Sequence, residues 1–182
     1  MIPNATHRSR NPIGYPKLTM KTISTERLTL RPVGEQDYLF IAKLMNERGY
    51  LNNVGDRGVR TPDDAAAYVA TAVIYLYSKD LGFNLVELRS CGTPVGICGL
   101  VARGADGVVE IGYGFLDREA GKGYATEAAR ATVDYAFRML GLGALHGITN
   151  ESNGASRRVL EKLGMTLVEI EPNGKCIYQL FA

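Results

Sequence analysis

Apolar and polar residues alternate along Arg27-Leu28-Thr29-Leu30-Arg31 and the pattern stops at Pro32, which predicts a first strand. From Glu35 to Glu47 the apolar positions 38, 41, 42, 44 and 45 recur at helical spacing. Tyr50 to Arg60 is rich in Gly and Asn and reads as a loop. Thr61-Pro62-Asp63-Asp64 starts a second helix, with a hydroxyl cap, Pro in the first turn and acids near the positive end of the dipole; its pattern continues to about Lys79. Phe83 to Arg89, Val95 to Ala102 and Val108 to Leu116 then read as three strands joined by short turns, the last turn at Gly104–Gly107. A helix follows with apolar positions 125, 128, 129, 132, 133, 136, 137 and 140, and Arg130, Asp134 and Arg138 mark its solvated side. Ala144 to Thr149 is a short strand and Asn153 to Leu163 a helix closed by Gly164. Leu167 to Ile170 and Lys175 to Phe181 form a hairpin around Pro172-Asn173-Gly174. The order β-α-α-β-β-β-α-β-α-β-β describes an α/β fold around a mixed sheet.

Composition narrows the class. At 182 residues, with 46% apolar and 22% charged, the chain has material for one full core. Met1 to Lys21 carries three prolines and scattered charge without an apolar middle. It reads as a flexible leader over residues 1–22, outside a single domain at 23–182, and Met20 is an alternative start. It resembles neither a signal peptide nor a membrane span. The 21 basic and 19 acidic residues are intermixed, leaving a net charge of +2 and no basic arm for nucleic acid. Cys91, Cys98 and Cys176 lack metal-type spacing, and His7 and His146 lie far apart, so no metal site is expected. Free thiols fit the cytoplasm.

The segment Gly121-Lys122-Gly123-Tyr124-Ala125-Thr126-Glu127 joins a strand to a helix. Glycines let such a turn bring its amides close to an anion, and the helix adds unpaired N–H groups and a dipole. A Walker loop would need Ser or Thr after the lysine, where Gly123 stands. A dinucleotide fingerprint would need a third glycine where Thr126 stands. Taken alone, the turn also reads as a plain strand-to-helix connection.

Six segments in order carry a resemblance to a known family. They are Thr25-Glu26-Arg27-Leu28 with Leu30-Arg31-Pro32; Gly55-Asp56-Arg57 with Thr61; Pro94-Val95-Gly96; Glu110-Ile111-Gly112-Tyr113; the glycine turn through Ala128; and Asn153 with Ser156 and Val159-Leu160-Glu161-Lys162-Leu163-Gly164-Met165. From about Thr25 to the C-terminus the chain resembles the GNAT superfamily of N-acetyltransferases, and within it the Rim-type branch. The resemblance implies a mixed, mostly antiparallel sheet of about seven strands flanked by four helices, with strands 108–116 and 144–149 splayed apart. It implies acetyl-CoA as cosubstrate, its pyrophosphate on Gly121, Lys122, Gly123, Tyr124, Ala125 and Thr126. Phe115, Leu116 and Asp117 would lie along the pantetheine arm, and Asn153 would hydrogen-bond it. Two departures stand out: Ala120 replaces a usual Gln or Arg, and Leu160 replaces a tyrosine that serves as acid for the leaving thiolate.

Acetyl transfer to an amine needs a base, an oxyanion donor and help for the thiolate. Glu110 is the candidate base, and alternation sets it on one strand face with Gly112 and Gly114, which would leave that face open. A solvent-facing strand glutamate, or one paired with an Arg, is the competing reading. A backbone N–H near Phe115 is the candidate oxyanion donor. Ser156 is the candidate group near the thiolate, against an ordinary first-turn serine. The acceptor is a peptide or small-molecule amine, and the protein a monomer or homodimer. Two other readings stand: a binding module that senses CoA without turnover, and a nucleotide-binding domain.

Overall fold

A computed structural model describes residues 22–73, 81–102 and 108–182. The leader, the end of the second helix and the Gly104–Gly107 turn lie outside the described residues. Among those described, eight strands form one sheet: β1 (Ile23–Ser24), β2 (Leu28–Pro32), β3 (Gly82–Leu88), β4 (Pro94–Ala102), β5 (Val109–Phe115), β6 (Ala144–Asn150), β7 (Thr166–Ile170) and β8 (Lys175–Phe181). Their order is β1-β2-β3-β4-β5-β6-β8-β7. Every neighbouring pair is antiparallel except β5 and β6, which run parallel. The helices are α1 (Tyr38–Met45), α2 (Arg48–Asn53), α3 (Pro62–Tyr68), α4 (Tyr124–Arg138) and α5 (Gly154–Lys162). No helix among the described residues is long and apolar enough to cross a membrane.

The period-2 pattern of the central strands builds two cores, one on each face. Val86, Cys98, Leu100 and Ile111 point toward α4 and α5, where Ala128, Ala129, Val133 and Leu160 meet them. Leu85, Ile97 and Leu116 point the other way, against Ile41, Leu44, Ala65 and Val69. Arg31 fastens the second layer: its guanidinium makes two 2.8 Å bonds to Asp37 and bonds to Glu87 Oε1 at 2.9 and 3.1 Å. Burial raises the Asp37 pKa, but the Arg31 and Gly34 hydrogen bonds prevail and hold it below the usual carboxylate range.

The structure adds two elements to those expected. β1 is two residues long, too short for alternation to reveal. Within the expected loop at Tyr50–Arg60, a helix runs through Asn53, although Gly49, Asn52 and Asn53 have poor helical propensity. Tertiary contacts hold it: Asp117 accepts from the Gly49 amide at 3.2 Å, and the Tyr50 ring lies over Gly114. The third helix keeps its expected start, with Thr61 accepting from Asp64 N at 3.1 Å.

Candidate active site

The sheet splits between β5 and β6. β6 pairs with β8 along its whole length, and β5 pairs with β4 without a register shift. One bridge alone joins β5 to β6, Glu110 opposite His146, and the parallel strands part beyond it. Leu116 N donates to Val95 O at 3.0 Å. Ladder alternation therefore turns Leu116, Gly114 and Gly112 toward β4, and aims the amides of Phe115 and Tyr113 at the open edge. A cleft of about 930 Å³ runs along this edge, from Glu110 past Phe115 to the glycine turn, with Asn153 and Ser156 on its other wall.

The glycine turn closes one end of the cleft. Gly121 and Gly123 have φ of 78° and 82°, left-handed values that a side chain resists. Gly123 caps α4, and the first helical bond runs from Glu127 N to Gly123 O at 3.1 Å. The amides of Tyr124, Ala125 and Thr126 therefore have no partner within the helix, and all three residues line the cleft. Lys122 faces elsewhere: its ammonium lies 2.8 Å from Glu119 Oε2, and its carbonyl accepts from Arg27. Lys122, helped by Arg118, holds the buried Glu119 carboxyl below its ordinary range.

A second carboxylate ties this turn to the start of the domain. Glu127 accepts from Thr25 Oγ1 at 2.6 Å, from Arg27 N at 2.9 Å and from Arg27 Nε at 2.7 Å. Arg27 in turn stacks 4.8 Å over the Tyr124 ring. The Thr25-Glu26-Arg27 and Ala125-Thr126-Glu127 segments are thus two halves of one joint.

At the centre, Glu110 shares its face with Gly112 and Gly114, as alternation requires. That face is more covered than expected. The rings of Phe83 and Tyr50 lie 3.1 Å from where side chains at Gly112 and Gly114 would begin. Glu110 is 9% exposed and lines the cleft. His146 on β6 is half-buried and sits 2.8 Å from the Gln179 amide nitrogen. Phe115, Leu116 and Asp117 all line the cleft; the Leu116 amide goes to Val95 and the Asp117 amide to Glu47 Oε2, while the Phe115 amide faces the open edge. Asn153 caps α5, its Oδ1 accepting from Ser156 N at 3.0 Å, which leaves the side-chain NH₂ as its donor toward the cleft. Cys98 is buried, which pushes its thiol up to about 12 and makes it a poor nucleophile.

One participant escapes the sequence: Tyr113, whose hydroxyl lies 2.9 Å from Ser156 Oγ and 3.2 Å from Ser156 O. Alternation places Tyr113 on the helix side of the sheet. Its meeting with a serine 43 residues away depends on how α5 docks.

A split parallel pair with an amide cradle at its end defines an acyltransferase-type cleft, and comparison with known proteins agrees. Residues 27–166 match the acetyltransferase (GNAT) domain model, and the chain belongs to that family. YkkB of Bacillus subtilis is 42% identical over 91 residues, which are 48% of this chain and 53% of that protein, about half its length. An acetyltransferase from Agrobacterium tumefaciens superposes with a TM-score of 0.76 at 26% identity, over 90% of this chain and 96% of that one. RimL, a ribosomal L7/L12 alpha-N-protein acetyltransferase solved with coenzyme A, shares the fold at a TM-score of 0.77 and 16% identity, over 88% and 98% of the two chains.

Proposed function

We propose that this protein transfers the acetyl group of acetyl-CoA to a primary amine by direct attack in a ternary complex. The observation that carries the reading is the single β5–β6 bridge, with a cleft opening beyond it and a row of helix amides at its end. Acetyl-CoA fits these residues: the amides of Tyr124, Ala125 and Thr126 suit its pyrophosphate, and the open edge at Tyr113 and Phe115 suits the amides of its arm. When bound, it supplies an acetyl group activated as a thioester. The Phe115 N–H is the oxyanion donor in this reading, and Glu110 takes the amine proton directly or through a water. Lys122 reaches phosphate only by leaving Glu119, and Ala120 adds no side-chain contact, so backbone amides carry the anion.

A CoA-sensing module without turnover is the second reading, motivated by Leu160 and Ala120. The hydroxyl pair of Tyr113 and Ser156 favours the enzyme, because it supplies donors where Leu160 cannot. For the acceptor we favour a peptide N-terminus or a small amine over a polycation. The cleft is lined by Arg57, Arg158, Lys162 and Lys175, and its carboxylates at Asp117 and Glu119 are already paired. The free cysteines, with Cys91 exposed, suit the reducing cytoplasm.

Calorimetry tests the cofactor directly. CoA is expected to bind the wild type and to lose at least tenfold in affinity for Gly123→Ala. A side chain at that left-handed position is strained and starts 3.3 Å from Arg27 Nη2. Heat from NAD or ATP with none from CoA would return the cleft to a nucleotide-binding role.

A further inference from the structure

Leu160 is 1% exposed and packs against Gly147 of β6, so α5 presents no phenol at that turn. Among the hydroxyls that line the cleft, two from different elements meet each other, Tyr113 on β5 and Ser156 on α5. Ser156 is held twice: Asn153 Oδ1 takes its backbone N–H at 3.0 Å, and the phenol meets its Oγ at 2.9 Å.

Two proton arrangements satisfy these distances. In the first, the phenol donates to Ser156 Oγ and the serine proton is left to point into the cleft. In the second, the serine donates to the phenol, which then donates to the Ser156 carbonyl at 3.2 Å. That carbonyl already faces the helical N–H four residues on, and its contact with the phenol is the longer of the two. Burial raises the Tyr113 pKa far enough that the phenol stays protonated, and a donor, across any working pH.

We propose that Tyr113 is a positioning residue that donates to Ser156 Oγ and turns the serine proton into the cleft, as the hydrogen-bond donor for a sulfur leaving group. The proposal rests on the acetyl-CoA reading above. As the C–S bond breaks and its electron pair settles on sulfur, Ser156 Oγ–H hydrogen-bonds that sulfur and keeps its own proton. An alcohol is too weak an acid to do more, and the thiolate takes its proton from water. The amine proton leaves separately, toward Glu110.

The test needs no acceptor. The thiolate absorbance of protein-bound CoA, followed against pH, gives the apparent pKa of the bound thiol. Tyr113→Phe and Ser156→Ala are each expected to raise it by about one unit, and the double variant by no more than either alone, because both act through one donor. Phenylalanine keeps the ring that packs in the core, so Tyr113→Phe removes the hydroxyl alone. With an acceptor present, kcat falls about tenfold in Tyr113→Phe at constant KM for acetyl-CoA. A bound-thiol pKa that stays put or drops in Tyr113→Phe identifies the second arrangement and overturns the proposal. Failure of the wild type to bind CoA overturns the site reading instead, and the proposal with it.

Discussion

Glu110→Gln is expected to lower kcat about a hundredfold while leaving the KM for acetyl-CoA unchanged, since a positioned base contributes roughly 10²–10⁴-fold. Glu110 sits at the one bridge between β5 and β6, at the point where the cleft opens. Glutamine keeps the shape and can still hydrogen-bond, but it cannot take a proton from an ammonium or from a bridging water. The pH–rate profile carries the sharper signature. Wild-type turnover falls on the acid side as the carboxylate protonates, and the two enzymes converge there. Their ratio is therefore largest at neutral and alkaline pH. Parallel profiles with equal kcat would leave Glu110 a paired strand residue and move the base elsewhere.

Glu127→Ala is expected to cost about 2 kcal/mol of stability, the range for losing hydrogen bonds to a charged group. For a domain of this size that corresponds to a fall in Tm of about 6 °C. The carboxylate is 17% exposed and joins Thr25 and Arg27 to the first turn of α4, close to the dipole's positive end. Without it, Arg27 loses its hold on the Lys122 carbonyl and the Tyr124 ring, so CoA affinity falls as well, about tenfold. Burial raises the Glu127 pKa, yet the Thr25 and Arg27 hydrogen bonds outweigh it and the net shift is downward. A carboxyl lowered in the folded state stabilises above its unfolded pKa, about 4.3 for glutamate, and that stability is lost as pH falls through the folded value. Melting curves of wild type and variant should thus draw together below about pH 4. A constant difference in Tm down to acid pH would mean that the lost stability is packing and not charge.

The central strands were legible because each buries a face, and burial on alternate residues writes a period of two into the sequence. The register of β5 followed from it, so Glu110, Gly112 and Gly114 share a face and Tyr113 lies opposite. The glycine turn was legible through residues that serve its left-handed backbone, Gly121 and Gly123. Contacts that span the chain were not. The Glu127 joint links residues about 100 positions apart, and α2 is tied at Gly49 to Asp117, 68 residues further on. Gly112 and Gly114 signalled an open face, yet what fills it comes from Phe83 and Tyr50 on other elements. Local pattern records how a segment meets its own environment. The identity of the partner across the cleft is set by docking, which leaves no period behind.

The most direct measurement is the coupling of CoA thiol release to the mass gain of an amine, across a panel of peptide N-termini, amino acids and small-molecule amines with acetyl-CoA. The account predicts that at least one amine gains one acetyl group for each thiol released, and that Glu110→Gln abolishes most of both signals. Tight binding of CoA with no amine acetylated and no thiol released would contradict it, and would make this fold a sensor of CoA.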